Sequence, residues 1–335
     1  MEIIIGLLII AVCAFCQSSC YVPINKIKEW SWESYWIVQG LFAWLVLPLI
    51  GAMLAVPEGH SLCELFRQNP GAAGMTIFYG VLWGVGGLTF GLSMRYLGVA
   101  LGQSIALGTC AGLGTILAPV FTGHAADLTA SVIIGVVVTL VGIAIIGAAG
   151  SMKAASLSEE EKRAAVKDFN FPKGILVALL AGFMSACLNI GLAKGESLFF
   201  EGVDPMFRTL PATFLVTLGG FATNAVYCFC QNSRNRTWGD YRKTNVWGNN
   251  LLFCLIAGAL WYSQFFGLAL GKGFLTSSPV LTTFAFCILM ALNVVFSNVW
   301  GILLKEWKGC SKKTIVVLVA GIVVLIVSSF LPQLI

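Results

Sequence analysis

Charged side chains are scarce throughout this sequence. Of its 335 residues only 10% are Lys, Arg, Asp or Glu, whereas a soluble globular protein devotes about a quarter of its residues to charge. Hydrophobic residues make up 58%, and the mean hydropathy is +0.89, so a single soluble domain would expose large apolar patches and aggregate. These values exclude a soluble enzyme, a nucleic-acid-binding protein and a disordered chain. They predict a protein whose solvent is lipid.

Ten windows carry charge only near their ends, and each has the roughly 20 residues that a helix needs to cross a bilayer core about 30 Å thick. None alternates polar and apolar residues along its length, as a barrel strand would. No basic residue precedes the first window, so we interpret it as a retained helix rather than a cleaved signal peptide. The sequence thus predicts an all-α integral membrane protein with ten transmembrane helices near residues 3–23, 35–56, 72–94, 98–122, 130–150, 174–199, 209–230, 247–271, 277–303 and 314–333.

Acidic residues are missing from the centre of every window. The polar groups left there are amides and hydroxyls, among which a strongly charged substrate would find its charge unpaired. The sequence also lacks a phosphate-binding Gly-Lys-Ser/Thr motif, a nucleophile–base arrangement and a cluster of metal ligands. We therefore expect a neutral substrate. We expect neither an enzyme nor an ATP-driven pump, and no metal or other cofactor.

Basic residues are distributed unevenly among the connections between windows. The odd-numbered connections hold 16 of the 20 Lys and Arg residues, and the even-numbered ones hold three. The 16 are Lys26, Lys28, Arg95, Lys153, Lys162, Arg163, Lys167, Lys173, Arg234, Arg236, Arg242, Lys243, Lys305, Lys308, Lys312 and Lys313. Because Lys and Arg resist translocation, the side that is rich in them is cytoplasmic. Both termini are therefore predicted to lie outside the cytoplasm.

A hydrophilic stretch at 151–173 divides the chain into two sets of five windows. Short patterns recur in corresponding windows, among them Gly80-Val-Leu-Trp83 and Gly258-Ala-Leu-Trp261. Because five is odd, the second copy must cross the membrane in the opposite direction, which is a recurrent plan of transporters. We predict two inverted five-helix repeats, 1–150 and 174–335, joined by a cytoplasmic linker. The alternative is that glycine-rich helices align by chance.

Aromatic and amide side chains within the windows suit the binding of a sugar. Indole rings offer flat apolar faces to sugar C–H groups, and amides both donate to and accept from hydroxyl groups. The alternative is that tryptophans anchor helices at the lipid interface and that amides join helices together. We expect such anchoring for Trp30, Trp32, Trp36 and Trp307. We predict that the substrate-binding residues are Trp83, Gln103, Asn189, Trp261, Tyr262 and Gln264.

A proton-coupled carrier needs a group that titrates in its path, and the ends of the windows offer few. Glu33 and Glu306 lie beside tryptophans on the cytoplasmic side, and Lys194 lies near the outer end of the sixth window. These three are the candidate coupling residues. The alternatives are ordinary ion pairs of the two carboxylates with Lys28 and Lys305, and a Lys194 side chain that extends to the membrane surface.

Four stretches occur in an order and at spacings typical of a known family. They are Tyr21-Val-Pro-Ile-Asn-Lys26-Ile-Lys-Glu-Trp-Ser-Trp-Glu33, Met94-Arg-Tyr-Leu-Gly98, Trp261-Tyr-Ser-Gln-Phe-Phe266 and Leu304-Lys-Glu-Trp307. In these the chain resembles, over nearly its whole length, the L-rhamnose–proton symporters of bacteria within the drug/metabolite transporter superfamily. The resemblance implies ten helices in two repeats, an inner-membrane location, and uptake of a deoxysugar together with a proton.

We therefore expect a secondary transporter that imports L-rhamnose or a related deoxysugar with protons by alternating access. Its expected partners are that neutral sugar, protons and the lipid bilayer, with no nucleic acid. Two alternatives stay open, namely an exporter of a small metabolite or drug from the same superfamily and a membrane sugar sensor that does not transport. A sensor would need a soluble output segment, for which only the stretch at 153–173 is available.

Overall fold

The computed structural model describes residues 2–97, 99–156, 170–305 and 307–335. Over these ranges the chain is helical and contains no β-strand. Ten helical spans are long and apolar enough to cross a membrane. The predicted all-α class and the predicted number of membrane-spanning helices are confirmed for this part of the chain.

Thirteen α-helices and three short segments of other helical types make up the described residues. The α-helices are α1 (Glu2–Ser18), α2 (Tyr21–Ile24), α3 (Trp32–Gly40), α4 (Leu47–Met53), α5 (Leu62–Gln68), α6 (Pro70–Leu97), α7 (Val99–Thr122), α8 (Ala130–Ala155), α9 (Phe171–Lys194), α10 (Leu210–Asn235), α11 (Thr244–Phe274), α12 (Pro279–Leu303) and α13 (Lys312–Leu334). The other segments are a π-helical one at Leu41–Val46 and 3₁₀ segments at Ala125–Asp127 and Thr237–Arg242.

The sixth span is shorter than the sequence predicts. The predicted window runs to residue 199, whereas α9 ends at Lys194 and the chain then turns. Gly195 follows at a place where an added Cβ atom would lie 2.6 Å from the Cβ of Ala212, so only glycine fits this turn without displacing α10. Lys194 is the last residue of α9.

The second span changes helix type in its middle. Over Leu41–Val46 the backbone is π-helical, and the N–H of Leu47 donates to the carbonyl of Phe42, five residues earlier. Pro48 accounts for the change, because proline has no N–H and its ring would press on the carbonyl four residues before it in a regular α-helix. That carbonyl belongs to Trp44. π-Helical turns are rare and are frequently found at functional sites.

The chain forms two compact units, and each draws on both predicted repeats. The first contains Met1–Gly84 and Gly191–Ser277, and the second contains Val85–Ile190 and Ser278–Ile335. This division does not show whether the two halves of the chain are similar or cross the membrane in opposite directions. The predicted repeats, 1–150 and 174–335, therefore stay predictions. Most of the predicted linker at 151–173 lies outside the described residues.

In the first unit, helices α6 and α10 approach each other closely at two glycines. A Cβ atom on Gly80 would overlap a backbone carbonyl oxygen of α10, and one on Gly219 would overlap a carbonyl oxygen of α6. Small residues commonly allow membrane helices to pack in this way, because lipid supplies no hydrophobic drive between them. The hydroxyl of Thr223 adds a hydrogen bond of 3.0 Å to the carbonyl of Val81.

In the second unit, helices α8 and α13 are joined by a buried polar pair. The hydroxyl of Thr139 donates to the hydroxyl of Ser328 at 3.0 Å, and both side chains are fully buried. A pair of this kind satisfies two polar groups that lipid could not. Helix α12 completes the core of the second unit with Phe284 and Phe286, which are among the largest fully buried side chains.

We expect the contact between α6 and α10 to fail when Gly80 gains a side chain. Gly80→Val should lower the free energy of unfolding by about 1–3 kcal/mol, because the new side chain overlaps a neighbouring backbone. Gly74→Val is the matched control, since Gly74 lies on the same helix with no atom near its Cβ position. Thermal unfolding of the purified protein in detergent measures both variants. Equal melting temperatures would contradict the close approach.

Candidate functional site

Four tryptophans of the first unit pack together, and we call them the tryptophan cluster: Trp36, Trp44, Trp83 and Trp261. The ring centroids of Trp83 and Trp261 lie 5.7 Å apart, with the ring planes tilted by 35°. Trp44 meets both nearly at right angles, at 6.0 Å and 5.7 Å, and Trp36 lies 5.6 Å from Trp44. Edge-to-face contacts are a favoured arrangement of aromatic rings. The structure thus brings together the two tryptophans that occupy matching positions in the sequence patterns.

Trp44 occupies the centre of the cluster, although the residue pattern does not single it out. Only 3% of its surface is exposed. It lies in the π-helical turn at Leu41–Val46, and such a turn leaves no mark on the hydropathy of the span. The one available signal is Pro48, because a proline inside an apolar span displaces the backbone that precedes it.

Two of the tryptophans expected at the lipid interface make contacts within the first unit, where Trp30 is buried and Trp36 is half-buried. Trp30 is 8% exposed, and Trp36 donates its indole N–H to the side-chain oxygen of Asn224 at 3.0 Å. Trp30 is therefore too buried to anchor a helix at the lipid interface, and for the half-buried Trp36 anchoring stays a prediction. Trp32 is 42% exposed and fits the anchoring role.

Three buried polar atoms on the helices of the cluster have no hydrogen-bond partner within the described part of the chain. They are Gln39 Oε1, Trp44 Nε1 and Tyr262 Oη, and the residues are 1%, 3% and 7% exposed. An unpaired buried group costs about 1–3 kcal/mol, and most buried polar atoms in native proteins are paired. The set comprises an acceptor, a donor and a hydroxyl that can do both.

The three predicted amides are placed differently. Gln264 is 3% exposed in the first unit, and its Nε2 lies 3.2 Å from the carbonyl oxygen of Trp261. Gln103 and Asn189 belong to the second unit. Gln103 is half-buried on α7, and Asn189 donates to the carbonyl of Gly114 at 2.7 Å, which joins α9 to α7. This contact is the helix-joining role that the sequence left open.

Glu33 lies in the first turn of α3 and is only 6% exposed. Its Oε1 accepts hydrogen bonds from Asn235 Nδ2 at 3.0 Å and from Thr237 Oγ1 at 2.8 Å. No ion pair joins it to Lys28 within the residues that the structure describes. The alternative that Glu33 forms an ordinary surface ion pair is therefore wrong, and its carboxylate is held by neutral donors.

One backbone residue positions both donors to Glu33. Arg236 has a φ of 58° and separates the end of α10 at Asn235 from the 3₁₀ segment that begins at Thr237. A residue other than glycine is uncommon in this left-handed conformation. The resulting reversal directs the side chains of Asn235 and Thr237 to the same carboxylate oxygen, while Arg236 itself is exposed.

Asp240 is a second buried carboxylate, beside the N-terminus of α3. Its Oδ2 accepts from the backbone N–H and the hydroxyl of Ser31, both at 2.7 Å, and Lys243 Nζ lies 2.7 Å from Oδ1. Burial alone would raise the pKa of Asp240. The hydrogen bonds from Lys243, Ser31 and Ser34 outweigh it and lower the pKa to about 2, because they favour the charged form.

Asn232 connects the surroundings of the two carboxylates. Thr237 Oγ1 lies 2.8 Å from Glu33 Oε1 and 2.9 Å from Asn232 Oδ1. Ser34 Oγ lies 3.0 Å from the same Asn232 atom and 2.9 Å from Asp240 Oδ2. Each hydroxyl has one proton to donate, so each can turn from a carboxylate to the amide oxygen.

The other two candidate coupling residues are Lys194 and Glu306. Lys194 is half-buried at the C-terminus of α9, where a positive charge is favourable toward the helix carbonyls. Glu306 lies outside the described residues.

Comparison with known proteins gives a match over almost the entire chain. Residues 1–334 match the model of the family described as L-rhamnose-proton symport protein (RhaT). A protein of Cronobacter sakazakii named L-rhamnose-proton symporter is 30% identical over 323 residues, covering 92% of this chain and 91% of its own. A protein of the same name from Yersinia pestis is 29% identical over 341 residues, covering 98% and 96%.

We expect the stability of the chain to depend on acidity through Asp240. Because its pKa is lower in the folded protein than in the unfolded chain, its stabilising effect is full above about pH 4 and is lost as the pH falls to about 2. The loss should be about 2 kcal/mol. Asp240→Asn should remove this acid dependence and lower the melting temperature at neutral pH. Glu58→Gln, at an exposed carboxylate, is the control; an Asp240→Asn profile that matches it would contradict the assignment.

Proposed function

The chain belongs to the L-rhamnose–proton symport protein family, and we propose that it imports L-rhamnose or a related deoxysugar together with protons by alternating access. The membrane is proposed to be the bacterial cytoplasmic membrane. One observation supports the sugar site above all, namely the contact of Trp83 and Trp261 beside the buried Trp44. Export of a metabolite or drug, and sensing without transport, have no comparable support.

The tryptophan cluster supplies the apolar surface of the proposed sugar site. A deoxysugar combines hydroxyl groups with C–H faces and a methyl group, which suit indole rings. Trp83, Trp261, Tyr262 and Gln264 are the proposed contacts within the first unit. Gln103 and Asn189 stay predictions from residue type.

The inverted repeats and the orientation are part of the proposal. In each of the two matching patterns a glycine marks a close helix contact, since a Cβ on Gly80 would overlap α10 and one on Gly258 would lie 2.8 Å from the Cβ of Phe42. In each, a tryptophan three residues later joins the same cluster. This correspondence supports duplication. The basic residues favour cytoplasmic odd-numbered connections and periplasmic termini.

We assign proton coupling first to Glu33. Its charged form is stabilised by Asn235 and Thr237, and a buried carboxylate that loses such donors takes up a proton. Movement of the segment around Arg236 would therefore change the protonation of Glu33. Thr237 can turn its hydroxyl to Asn232 when Glu33 is neutral, so both states keep their hydrogen bonds. Lys194 and Glu306 stay secondary candidates.

We expect purified protein in lipid vesicles to accumulate labelled L-rhamnose when an inward proton gradient is imposed. One proton per sugar and a gradient of about one pH unit would drive about tenfold accumulation.

Trp261→Ala should abolish uptake, because the indole face is lost, while the protein still inserts into the membrane. Intact wild-type protein that shows no gradient-dependent accumulation would refute proton-coupled rhamnose import. Wild-type uptake by Trp261→Ala would remove α11 from the site.

Glu33→Gln should separate sugar movement from proton movement. The amide keeps the size of the side chain but cannot exchange a proton, so equilibrium exchange of labelled sugar should continue while gradient-driven accumulation falls about tenfold to the level without a gradient. Vesicles loaded with unlabelled sugar measure the exchange. Glu58→Gln should behave as wild type. Unchanged accumulation in Glu33→Gln would exclude Glu33 as the coupling group.

A further inference from the structure

The connection that follows the first span lies along the connection that follows the seventh. The side-chain amide of Asn250 accepts from the N–H of Lys28 at 3.0 Å and donates to the carbonyl of Lys28 at 2.8 Å. Asn249 Nδ2 donates to the carbonyl of Lys26 at 2.9 Å. The hydrogen bonds of the two buried carboxylates, described above, continue this pairing as far as α3. Both connections belong to the first unit, so together they form one surface at the end of its helices.

Exposed basic side chains are concentrated on this surface. Five of them carry a positive charge for which the residues that the structure describes offer no ion-pair partner. Three of the five are arginines within a stretch of nine residues. We call the five together the basic surface: Lys26, Lys28, Arg234, Arg236 and Arg242.

Few negative charges balance the basic surface. Its two stretches, 26–33 and 234–250, contain three acidic residues. Asp240 already forms an ion pair, and Glu33 is buried beneath its neutral donors. Glu29 is exposed. Five unpaired cations therefore stand against one exposed carboxylate, and the surface attracts anions.

Two exposed tryptophans lie among the basic residues, Trp238 at 41% and Trp247 at 40% exposure. The indole N–H of Trp238 donates to Ser233 Oγ at 3.2 Å, and that of Trp247 donates to the carbonyl of Tyr241 at 2.8 Å. The ring of Tyr241 lies 6.1 Å from that of Trp238 and 5.7 Å from that of the buried Trp30. Trp30 in turn lies 6.5 Å from Trp247. Indole rings held in this way at the ends of spans are typical of the boundary between lipid and water.

We propose that the basic surface docks the phosphate headgroups of anionic phospholipids, on the side of the membrane proposed to be cytoplasmic. A guanidinium group offers two parallel N–H donors to two phosphate oxygens. Clusters of four or more Lys and Arg beside a membrane span attract anionic lipids in this way. The inference goes beyond the proposed function, because it requires neither a sugar nor a coupling proton.

The position of the basic surface favours lipid over a soluble anion. Arg234 lies in the last turn of α10, and the exposed Trp32 lies in the first turn of α3. Both helices belong to spans that are apolar enough to cross the membrane, so the surface begins where the lipid ends. The membrane itself supplies phosphate groups at this depth. A nucleic acid or an acidic protein would meet the charges but would leave the exposed indole rings without an apolar partner.

The second unit offers a matched comparison. Its connection between α12 and α13 also carries exposed cations, but the four that the structure describes there are lysines, which present a point charge instead of a planar fork. The tryptophan of this connection, Trp307, is half-buried, with Lys153 Nζ 4.8 Å from its ring centroid. We call the four residues the lysine set: Lys305, Lys308, Lys312 and Lys313.

The test uses the full chain purified in an uncharged detergent, with thermal unfolding followed as phosphatidylglycerol is added. A lipid that binds the folded protein raises its melting temperature in proportion to its occupancy. Phosphatidylglycerol should raise the melting temperature, whereas phosphatidylcholine and inorganic phosphate at the same concentrations should not. The rise should shrink in about 0.5 M NaCl, which screens charges beyond a few ångströms.

Neutralising the basic surface should weaken the binding of phosphatidylglycerol. The variant combines Lys26→Gln, Lys28→Gln, Arg234→Gln and Arg242→Gln, and it leaves Arg236 in place because that residue orients the donors to Glu33. The apparent affinity should fall at least about tenfold, since each Lys or Arg at a membrane surface contributes to the attraction. Changing all four residues of the lysine set to Gln removes the same charge and should alter the affinity less than about threefold.

Each outcome decides the proposal. Equal losses in the two variants would mean a general attraction to positive charge and would overturn the assignment to the basic surface. A rise with phosphatidylcholine that matches the rise with phosphatidylglycerol, or a matching rise with inorganic phosphate, would overturn an anionic lipid as the occupant. If the fourfold variant does not fold, the pairs Lys26→Gln with Lys28→Gln and Arg234→Gln with Arg242→Gln are compared with pairs from the lysine set. A failure of sugar uptake leaves this inference unaffected, because none of these measurements involves sugar.

Discussion

A bilayer offers no water to a polar group, so hydrogen bonds within it have to be formed by the protein or by its ligand. This constraint accounts for the helical backbone of the described chain and for the paired hydroxyls of Thr139 and Ser328. It also accounts for the π-helical turn before Pro48, where the backbone adjusts to a missing donor. Against this background few buried side-chain atoms of the described residues lack a partner, among them those of Gln39, Trp44 and Tyr262.

The parts of the fold that follow from composition were predictable from the sequence. Ten spans could be located because crossing lipid requires a long apolar helix, and this requirement leaves a strong pattern. The pairing of Trp83 with Trp261 was suggested by their matching positions in two similar patterns, and the structure places them in contact. Helix ends were less predictable, because the apolar stretch continues to residue 199 whereas α9 ends at Lys194.

The surroundings of the site could not be predicted, because they are made by residues far apart in the chain. In the sequence Glu33 looks like an ordinary carboxylate at the end of a span. In the structure it accepts hydrogen bonds from Asn235 and Thr237, which lie some 200 positions later. Trp44 looks like one apolar residue among many until the π-helical turn places it between two other tryptophans. A hydropathy pattern records how often a face meets lipid, but it does not record which polar atoms lack a partner.

The left-handed residue Arg236 has a consequence for the time course of transport. Asn235 and Thr237 lie on either side of Arg236, so rotation about its backbone moves Thr237 relative to Asn235 and breaks the pair of hydrogen bonds that Glu33 receives. Local segments move in nanoseconds to microseconds, whereas rearrangements of whole helices take microseconds to milliseconds. A proton on Glu33 would therefore reach equilibrium many times in each cycle. It would act as a rapidly exchanging ligand, and acidity would tune the apparent affinity for sugar rather than the speed of turnover.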